Sequence, residues 1–177
     1  MKKYALLLAI ALVAGFALQP VSAVAELPAV GAEAPTFELT SNEGKAVSLA
    51  SLKGKWVVLY FYPKDFTSGC TLEARNFQRD LAKFEAAKAV ILGVSVDTAD
   101  SHKEFCAKEG LSFKLLADIG GKVSEQYGSI AEYQGNKYSA RNTFVIGPDG
   151  KIAKVFEKVK VPAHSEEVLA ALAELQK

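Results

Sequence analysis

Two continuous apolar stretches, separated by one amphipathic helix, constrain the fold of this chain most strongly. The stretches cover residues 56–62 and 90–96, and such uninterrupted apolar runs are typical of strands that are covered on both faces. Between them, apolar residues recur at spacings of three and four, which predicts a helix with one face turned toward the protein. The members of this apolar face are Cys70, Ala74, Phe77, Leu81 and Phe84. A strand, a helix and a second strand in this order predict a parallel, right-handed βαβ unit.

The remaining segments add a second half and an N-terminal extension to this unit. A short helix carrying Phe105 and Cys106 is expected to end at Gly110, because glycine is a favourable residue just after a helix. Further elements are predicted as strands at 113–117, 141–146 and 151–159, helices at 122–127 and from Ser165, a tight turn at 147–150 and a hairpin over 37–49. This α/β layout resembles the thioredoxin-like three-layer sandwich, with a mixed central sheet, helices on both faces and an N-terminal hairpin extension.

The first 25 residues have the features of a secretory signal peptide. Two lysines precede an apolar run over residues 4–18, and a small-x-small cleavage site ends at Ala25. The run is short for a membrane span. We therefore predict that residues 1–25 are removed and that residues 26–177 form a single exported domain, free of the membrane and located in the periplasm. Another Sec-accessible lumen and tethering by an uncleaved signal are the alternatives.

Charge and cysteine content narrow the range of functions. With 21 basic and 20 acidic residues, the chain has no excess charge that would favour nucleic acid or a membrane surface as a partner. Its two cysteines, Cys70 and Cys106, do not form a CxxC motif, and its two distant histidines do not complete a zinc site. In an exported chain the two cysteines could form a stabilising disulfide, although a domain of about 150 residues has enough core without one.

Cys70 has the sequence surroundings of a reactive thiolate. It falls in the first turn of the predicted helix, where backbone N–H groups and the helix dipole favour negative charge. Thr67 can cap this helix or hydrogen-bond the sulfur, and Pro63 ends the preceding strand. Arg141, at the start of a later strand, could bring a cation to the sulfur or could be a surface charge at a strand end. The alternative for Cys70 is a buried cysteine that acts as a small apolar residue.

The pattern Pro63-x-x-x-Thr67-x-x-Cys70, with Arg141 opening a later strand, resembles that of the peroxiredoxins. The sequence around this pattern is similar to that of the PrxQ branch, also called bacterioferritin comigratory protein. The similar segments are YFYPKD at residues 60–65 and GCT at residues 69–71. Ser68 departs from the pattern, because many relatives have proline at that position. The resemblance covers nearly all of the chain after the predicted signal peptide, and it implies a thiol peroxidase that acts on hydrogen peroxide and organic hydroperoxides without metal, haem or flavin.

The resemblance also implies a role for each residue of the motif. Cys70 would be the peroxidatic nucleophile, and Thr67 would hold the attacked peroxide oxygen through its hydroxyl. Arg141 would stabilise the thiolate and polarise the peroxide, and Pro63 would shield the pocket from water. This division of work agrees with the chemistry, since a thiolate breaks an O–O bond by in-line attack while fixed donors stabilise the leaving oxygen.

A second thiol is needed to resolve the sulfenic acid that this attack produces. Many members of the branch carry it five residues after the nucleophile, where this chain has Arg75. Cys106 resembles the other arrangement in the branch, which implies an intramolecular Cys70–Cys106 disulfide, a monomer and an external thioredoxin-like dithiol reductant. Because the two residues lie on different helices, we expect the first turn around Cys70, and part of the Cys106 helix, to unwind before the bond forms.

Two other functions remain open from the sequence. The chain could be an exported thiol–disulfide oxidoreductase that acts on proteins, or a non-enzymatic module with a structural disulfide.

His102 and His164 are predicted to face solvent at helix starts, and Glu73 could either orient Arg141 or satisfy the preference for acids early in a helix. Tyr62 could line a pocket mouth or pack in the core. Core positions are predicted for Trp56, Phe61 and Phe77.

Overall fold

The computed structural model describes residues 26–177, so the predicted signal peptide lies outside the described residues. The described strands are β1 (Glu38–Ser41), β2 (Ala46–Ser48), β3 (Trp56–Phe61), β4 (Ala89–Ser95), β5 (Lys114–Ala117), β6 (Ile130–Tyr133), β7 (Asn136–Ser139), β8 (Thr143–Ile146) and β9 (Ile152–Phe156). The described α-helices are α1 (Ser68–Ala86), α2 (Ala99–Glu109), α3 (Lys122–Gln126) and α4 (His164–Leu175). Within residues 26–177, no helix has both the length and the apolar character needed to cross a bilayer.

Seven of the strands form one mixed sheet in the order β2-β1-β5-β4-β3-β8-β9. β3 pairs in parallel with β4, and α1 connects them, which confirms the predicted βαβ unit. β8 runs antiparallel to β3 and forms a hairpin with β9, while β1 and β2 form the N-terminal hairpin and join the sheet at β5. The central strands β3, β4 and β5 therefore each have a neighbouring strand on both edges.

The two faces of the sheet contribute to two separate apolar clusters. Because side chains alternate along a strand, Val58 and Tyr60 of β3 join one cluster, and Val57 and Leu59 join the other. The first cluster also receives side chains from α1, α2 and α4, and the second receives side chains from α3. The predicted layout, with helices on both faces of a mixed sheet, is confirmed.

Residues 130–139 form a hairpin that the sequence pattern does not reveal. β6 and β7 pair only with each other, as a two-stranded sheet beside the main one. Gln134 and Gly135 both have positive φ, of 51° and 75°, as a two-residue hairpin turn with the right twist requires. The strands were missed because five of their eight residues are exposed, so they carry no alternation of buried apolar side chains.

Two of the sequence-based burial predictions are wrong. His102 and His164 do not face solvent: their relative exposures are 0% and 1%. His102 Nδ1 lies 2.9 Å from a carboxylate oxygen of Asp65, and His164 Nδ1 lies 2.9 Å from one of Glu73. These hydrogen bonds replace those that each imidazole nitrogen would make to water. Trp56 packs against the core but is only partly buried.

The close packing of β3 on β4 makes Gly93→Ala a destabilising substitution. A Cβ atom at Gly93 would lie 2.6 Å from Leu115 Cδ2 and 2.7 Å from the hydroxyl oxygen of Tyr60, both inside the core. We expect the free energy of unfolding to fall by about 1–3 kcal/mol, as for other overpacked cores, in urea denaturation followed by circular dichroism. Tyr60→Phe removes the hydroxyl oxygen but leaves ring atom Cζ 2.7 Å and Leu115 Cδ2 2.6 Å from the added Cβ, so most of the penalty should remain in that background. An unchanged midpoint for Gly93→Ala would contradict this account of the packing.

Candidate active site

Cys70 lies in the first turn of α1, which begins at Ser68 directly after the loop that leaves β3. Its side chain is buried, with 1% relative exposure, and its thiol is free. The position on the apolar face of α1 therefore turns the sulfur toward the protein, as the residue spacing predicted. The helix N-terminus directs its unpaired backbone N–H groups and the positive end of its dipole at this region.

Arg141 brings a cation to the sulfur. Its Nη2 donates a hydrogen bond to Cys70 Sγ over 3.0 Å, and its Nη1 donates to Glu73 Oε2. The guanidinium is mostly enclosed, with 22% of its side chain exposed. Of the two interpretations of Arg141, the surface charge is therefore wrong, and Glu73 does orient it. Gly69 lets the guanidinium approach the helix, since a Cβ atom there would lie 2.9 Å from Arg141 Nη2.

Glu73 has a second partner at its other oxygen. His164, the first residue of α4, places Nδ1 2.9 Å from Glu73 Oε1, and both side chains are 1% exposed. The imidazole is packed edge-on against Phe77 and Phe156, with ring centroids 5.2 Å and 5.9 Å away. A continuous chain of contacts thus runs from Cys70 through Arg141 and Glu73 to His164.

The loop before α1 holds Thr67 and Pro63. Thr67 is the N-cap residue of α1, but its side chain makes no capping bond and does not bond the sulfur. Its hydroxyl instead donates to the Lys64 carbonyl over 3.0 Å, so both predicted hydrogen bonds of Thr67 are wrong. The hydroxyl hydrogen therefore bonds within the loop, and the oxygen lone pairs remain available to accept a hydrogen bond. Pro63 is partly buried where the chain leaves β3.

Asp65 joins this loop to α2 through a buried network. Its carboxylate accepts hydrogen bonds from the Tyr62 hydroxyl and the Ser101 hydroxyl, both at 2.7 Å, and lies 2.9 Å from His102 Nδ1. Burial alone would raise the pKa of Asp65, but these hydrogen bonds and the charge of His102 outweigh it and lower the pKa. Tyr62 is 1% exposed and belongs to the core, and burial raises its pKa well above the usual value.

Phe66 makes a second connection between the loop and α2. It has a φ of 61°, in the left-handed region that non-glycine residues seldom adopt. Its ring is nearly half exposed and packs edge-on against Phe105, with centroids 5.1 Å apart, while Lys108 Nζ lies 5.4 Å from its centre. Phe105 directly precedes Cys106, so the loop packs against the turn of α2 that carries the second thiol.

Cys106 is a buried free thiol in the last turns of α2. Burial raises its pKa to about 12, and the carboxylates of Asp65 and Glu43 add to the increase. The thiol is therefore protonated at neutral pH and is a poor nucleophile in this folded state. Glu109, one turn further, accepts a hydrogen bond from Arg75 Nε over 2.7 Å and ties α2 to α1.

Comparison with known proteins identifies the family. The model of the AhpC/TSA family matches residues 30–155. A putative peroxiredoxin bcp of Coxiella burnetii is 45% identical over 147 residues, which span 81% of this chain and 97% of that protein. The chain belongs to the AhpC/TSA family of peroxiredoxins. Peroxiredoxin Bcp of Bacillus subtilis is similar too, at 40% identity over 82% of this chain and 96% of its own.

Solved structures place the peroxiredoxin in the Bcp/PrxQ branch. The crystal structure of a cysteine-to-serine mutant of Xylella fastidiosa PrxQ matches with a TM-score of 0.81 and 34% identity, over 86% of this chain and 99% of that one. A structure of Xanthomonas campestris peroxiredoxin Q matches with a TM-score of 0.76 and 40% identity, over 88% and 99%. The branch and the thioredoxin-like fold predicted from the sequence are confirmed, and the protein is an enzyme.

The structure brings together some of the residues that the sequence singled out in this peroxiredoxin. Cys70 and Arg141 are in direct contact, whereas no hydrogen bond of the described residues joins Thr67 or Cys106 to the sulfur. His164 and Asp65 were not recognised as part of the site. No local signal could have found the contacts of Asp65 with α2 or of His164 with Glu73, because these partners lie 36 to 91 residues apart and their positions depend on how α2 and α4 pack.

Proposed function

We propose that Cys70 is the peroxidatic nucleophile of this peroxiredoxin. The observation that carries the proposal is the 3.0 Å contact between Arg141 Nη2 and Cys70 Sγ, inside a buried site at a helix N-terminus. Arginine keeps its charge at every relevant pH, so it is a permanent counter-ion for a thiolate. The same N–H can move from the sulfur to the peroxide oxygens as negative charge passes to them.

The substrates are hydrogen peroxide and organic hydroperoxides. The thiolate attacks one peroxide oxygen, an S–O bond forms as the O–O bond breaks, and the leaving oxygen takes a proton to become water or an alcohol. Thr67 is suited to bind the substrate, because its hydroxyl already donates a hydrogen bond to the Lys64 carbonyl. The oxygen lone pairs are then free to accept a hydrogen bond from the peroxide O–H. Arg141 donates to the peroxide from the other side, and Pro63 limits the access of water.

Cys106 resolves the sulfenic acid of Cys70. Its thiol displaces water from the sulfenic acid, and a Cys70–Cys106 disulfide results. Because the Cys106 thiol is buried and its pKa is raised to about 12, we infer that α2 and the first turn of α1 unwind before the attack. This unwinding also breaks the contact of Phe66 with Phe105.

An external dithiol of the thioredoxin type regenerates the enzyme by thiol–disulfide exchange. One chain carries both cysteines, so a monomer suffices for the cycle. Export directed by residues 1–25 would place this cycle in the periplasm. N-terminal sequencing of the mature protein from a periplasmic fraction tests that location, and recovery of the intact chain from the cytoplasm would contradict it.

Treatment of the reduced protein with one equivalent of peroxide tests the chemistry. We expect mass spectrometry to show a monomer that is lighter by two hydrogen atoms and contains a Cys70–Cys106 bond, and a thioredoxin-type dithiol to restore both thiols. Cys106→Ser is the matched control, because it retains the first attack and should accumulate sulfenic acid on Cys70. A stable sulfenic or sulfinic acid on Cys70, beside an unreacted Cys106 in the wild-type protein, would contradict the proposed resolution.

A further inference from the structure

His164 has no role in the mechanism so far, although it lies at the end of the contact chain from Cys70. Its Nδ1 bonds the Glu73 oxygen that Arg141 does not use. Its Nε2 is buried and has no hydrogen-bond partner. The arrangement therefore fits a ring with its proton on Nδ1 and a bare Nε2 among the aromatic rings, because a proton on Nε2 would be a buried, unpaired donor.

Glu73 and Arg141 could pair in two ways. An isolated guanidinium and carboxylate prefer the bidentate arrangement, in which two N–H groups bind the two oxygens. Here the pairing uses one bond only, from Nη1 to Oε2, and Nη2 is left for the Cys70 sulfur. The oxygen that would otherwise compete for Nη2 is Oε1, and His164 occupies it.

We propose that His164 is a positioning residue that keeps Arg141 Nη2 available to Cys70. By donating to Glu73 Oε1, it satisfies the buried carboxylate and prevents the bidentate pairing that would draw the guanidinium away from the sulfur. Without this donor, Oε1 is buried with no hydrogen-bond partner, and the Arg141 guanidinium, which already bonds Oε2 of the same carboxylate, carries further N–H donors. The inference rests on the proposed role of Cys70 and assigns His164 no contact with substrate.

The test compares His164→Phe with His164→Asn. Phenylalanine keeps the ring but cannot donate, whereas the asparagine amide can place an N–H near the position of Nδ1–H. We expect His164→Phe to shift the titration of the Cys70 thiolate, followed at 240 nm, to higher pH by about one unit and to slow the stopped-flow reaction with hydrogen peroxide about tenfold. His164→Asn should restore both to within about threefold of wild type.

A double-mutant cycle shows whether His164 acts through Glu73. In a Glu73→Ala background, His164→Phe should have no further effect on the titration or the rate, and a full additional effect would overturn the proposal. Thermal unfolding identifies a merely structural role: a lower melting temperature with an unchanged thiolate titration and rate also overturns it. His164→Leu replaces the phenylalanine variant if the latter does not fold.

The outcomes separate this inference from the proposed function. If Cys70→Ser retains peroxidase activity, the role of Cys70 itself is wrong and the positioning argument falls with it. If Cys70→Ser is inactive but His164→Phe titrates and reacts like wild type, only the inference about His164 is wrong.

Discussion

Replacement of Cys70 by serine is expected to abolish peroxide reduction while the free energy of unfolding stays within about 1 kcal/mol of wild type. A serine hydroxyl is not ionised at neutral pH and cannot attack the O–O bond, so we expect a loss of at least about 10⁴-fold, as when other enzymes lose their nucleophile. The fold should persist, because the smaller side chain stays inside the first cluster and its oxygen can accept the hydrogen bond from Arg141.

Cys106→Ser is the matched control for this prediction, because it also exchanges a buried sulfur for oxygen on a helix that packs in the same cluster. It should react with the first equivalent of peroxide at the wild-type rate and then fail to turn over with a thioredoxin-type dithiol. Peroxide consumption and urea denaturation measure the two effects. A Cys70→Ser variant with wild-type activity would end the proposed function, and one that loses several kcal/mol of stability would favour a structural role for the cysteine.

Replacement of Arg141 by methionine is expected to slow the reaction of Cys70 with peroxide by about 10²–10³-fold, the usual cost of losing one fixed donor to a developing negative charge. The side chain keeps its length but loses the counter-ion of the thiolate, so less thiolate is present at neutral pH. It also leaves Glu73 buried with His164 as its remaining side-chain partner. Because Arg141 is partly exposed, we expect a stability loss of about 1–3 kcal/mol, less than for a fully buried pair.

Arg79→Met provides the matched control for the lost charge. Arg79 lies on α1 and pairs with Asp80 and Glu166, with half of its side chain exposed and no contact with the sulfur. Its loss should leave the rate with peroxide unchanged. Stopped-flow measurement and titration of the thiolate at 240 nm compare the two variants. Equal rates for Arg141→Met and wild type would show that the 3.0 Å contact has no part in catalysis.

Regular periodicity explains why much of the fold could be predicted. The continuous apolar runs of β3 and β4 and the apolar face of α1 are patterns within short segments, and they indicate two strands buried on both faces and a helix buried on one. Gly110 has a φ of 67° just after α2, as expected for a glycine that ends a helix. The hairpin of β6 and β7 escaped prediction because its exposed strands need no apolar face.

Side-chain directions in the site could not be predicted in the same way. Thr67 was expected to bond the helix or the sulfur, but its hydroxyl donates a hydrogen bond to the loop carbonyl of Lys64. His102 and His164 were expected in solvent because polar residues at helix starts usually stay there. Their acid partners are separated from them by 37 and 91 residues, respectively, and a local pattern carries no information about such contacts.

The sequence by itself determined the βαβ unit, the position of Cys70 in the first turn of a buried helix, and the resemblance to the PrxQ branch. These properties depend on the order and spacing of neighbouring residues. Only the tertiary structure decided that Arg141 contacts the sulfur, that Glu73 orients it and that His164 holds the second oxygen of Glu73. The physical reason is that these side chains come from α1, α4 and the start of the β8 segment, which meet only when both halves of the sheet are assembled.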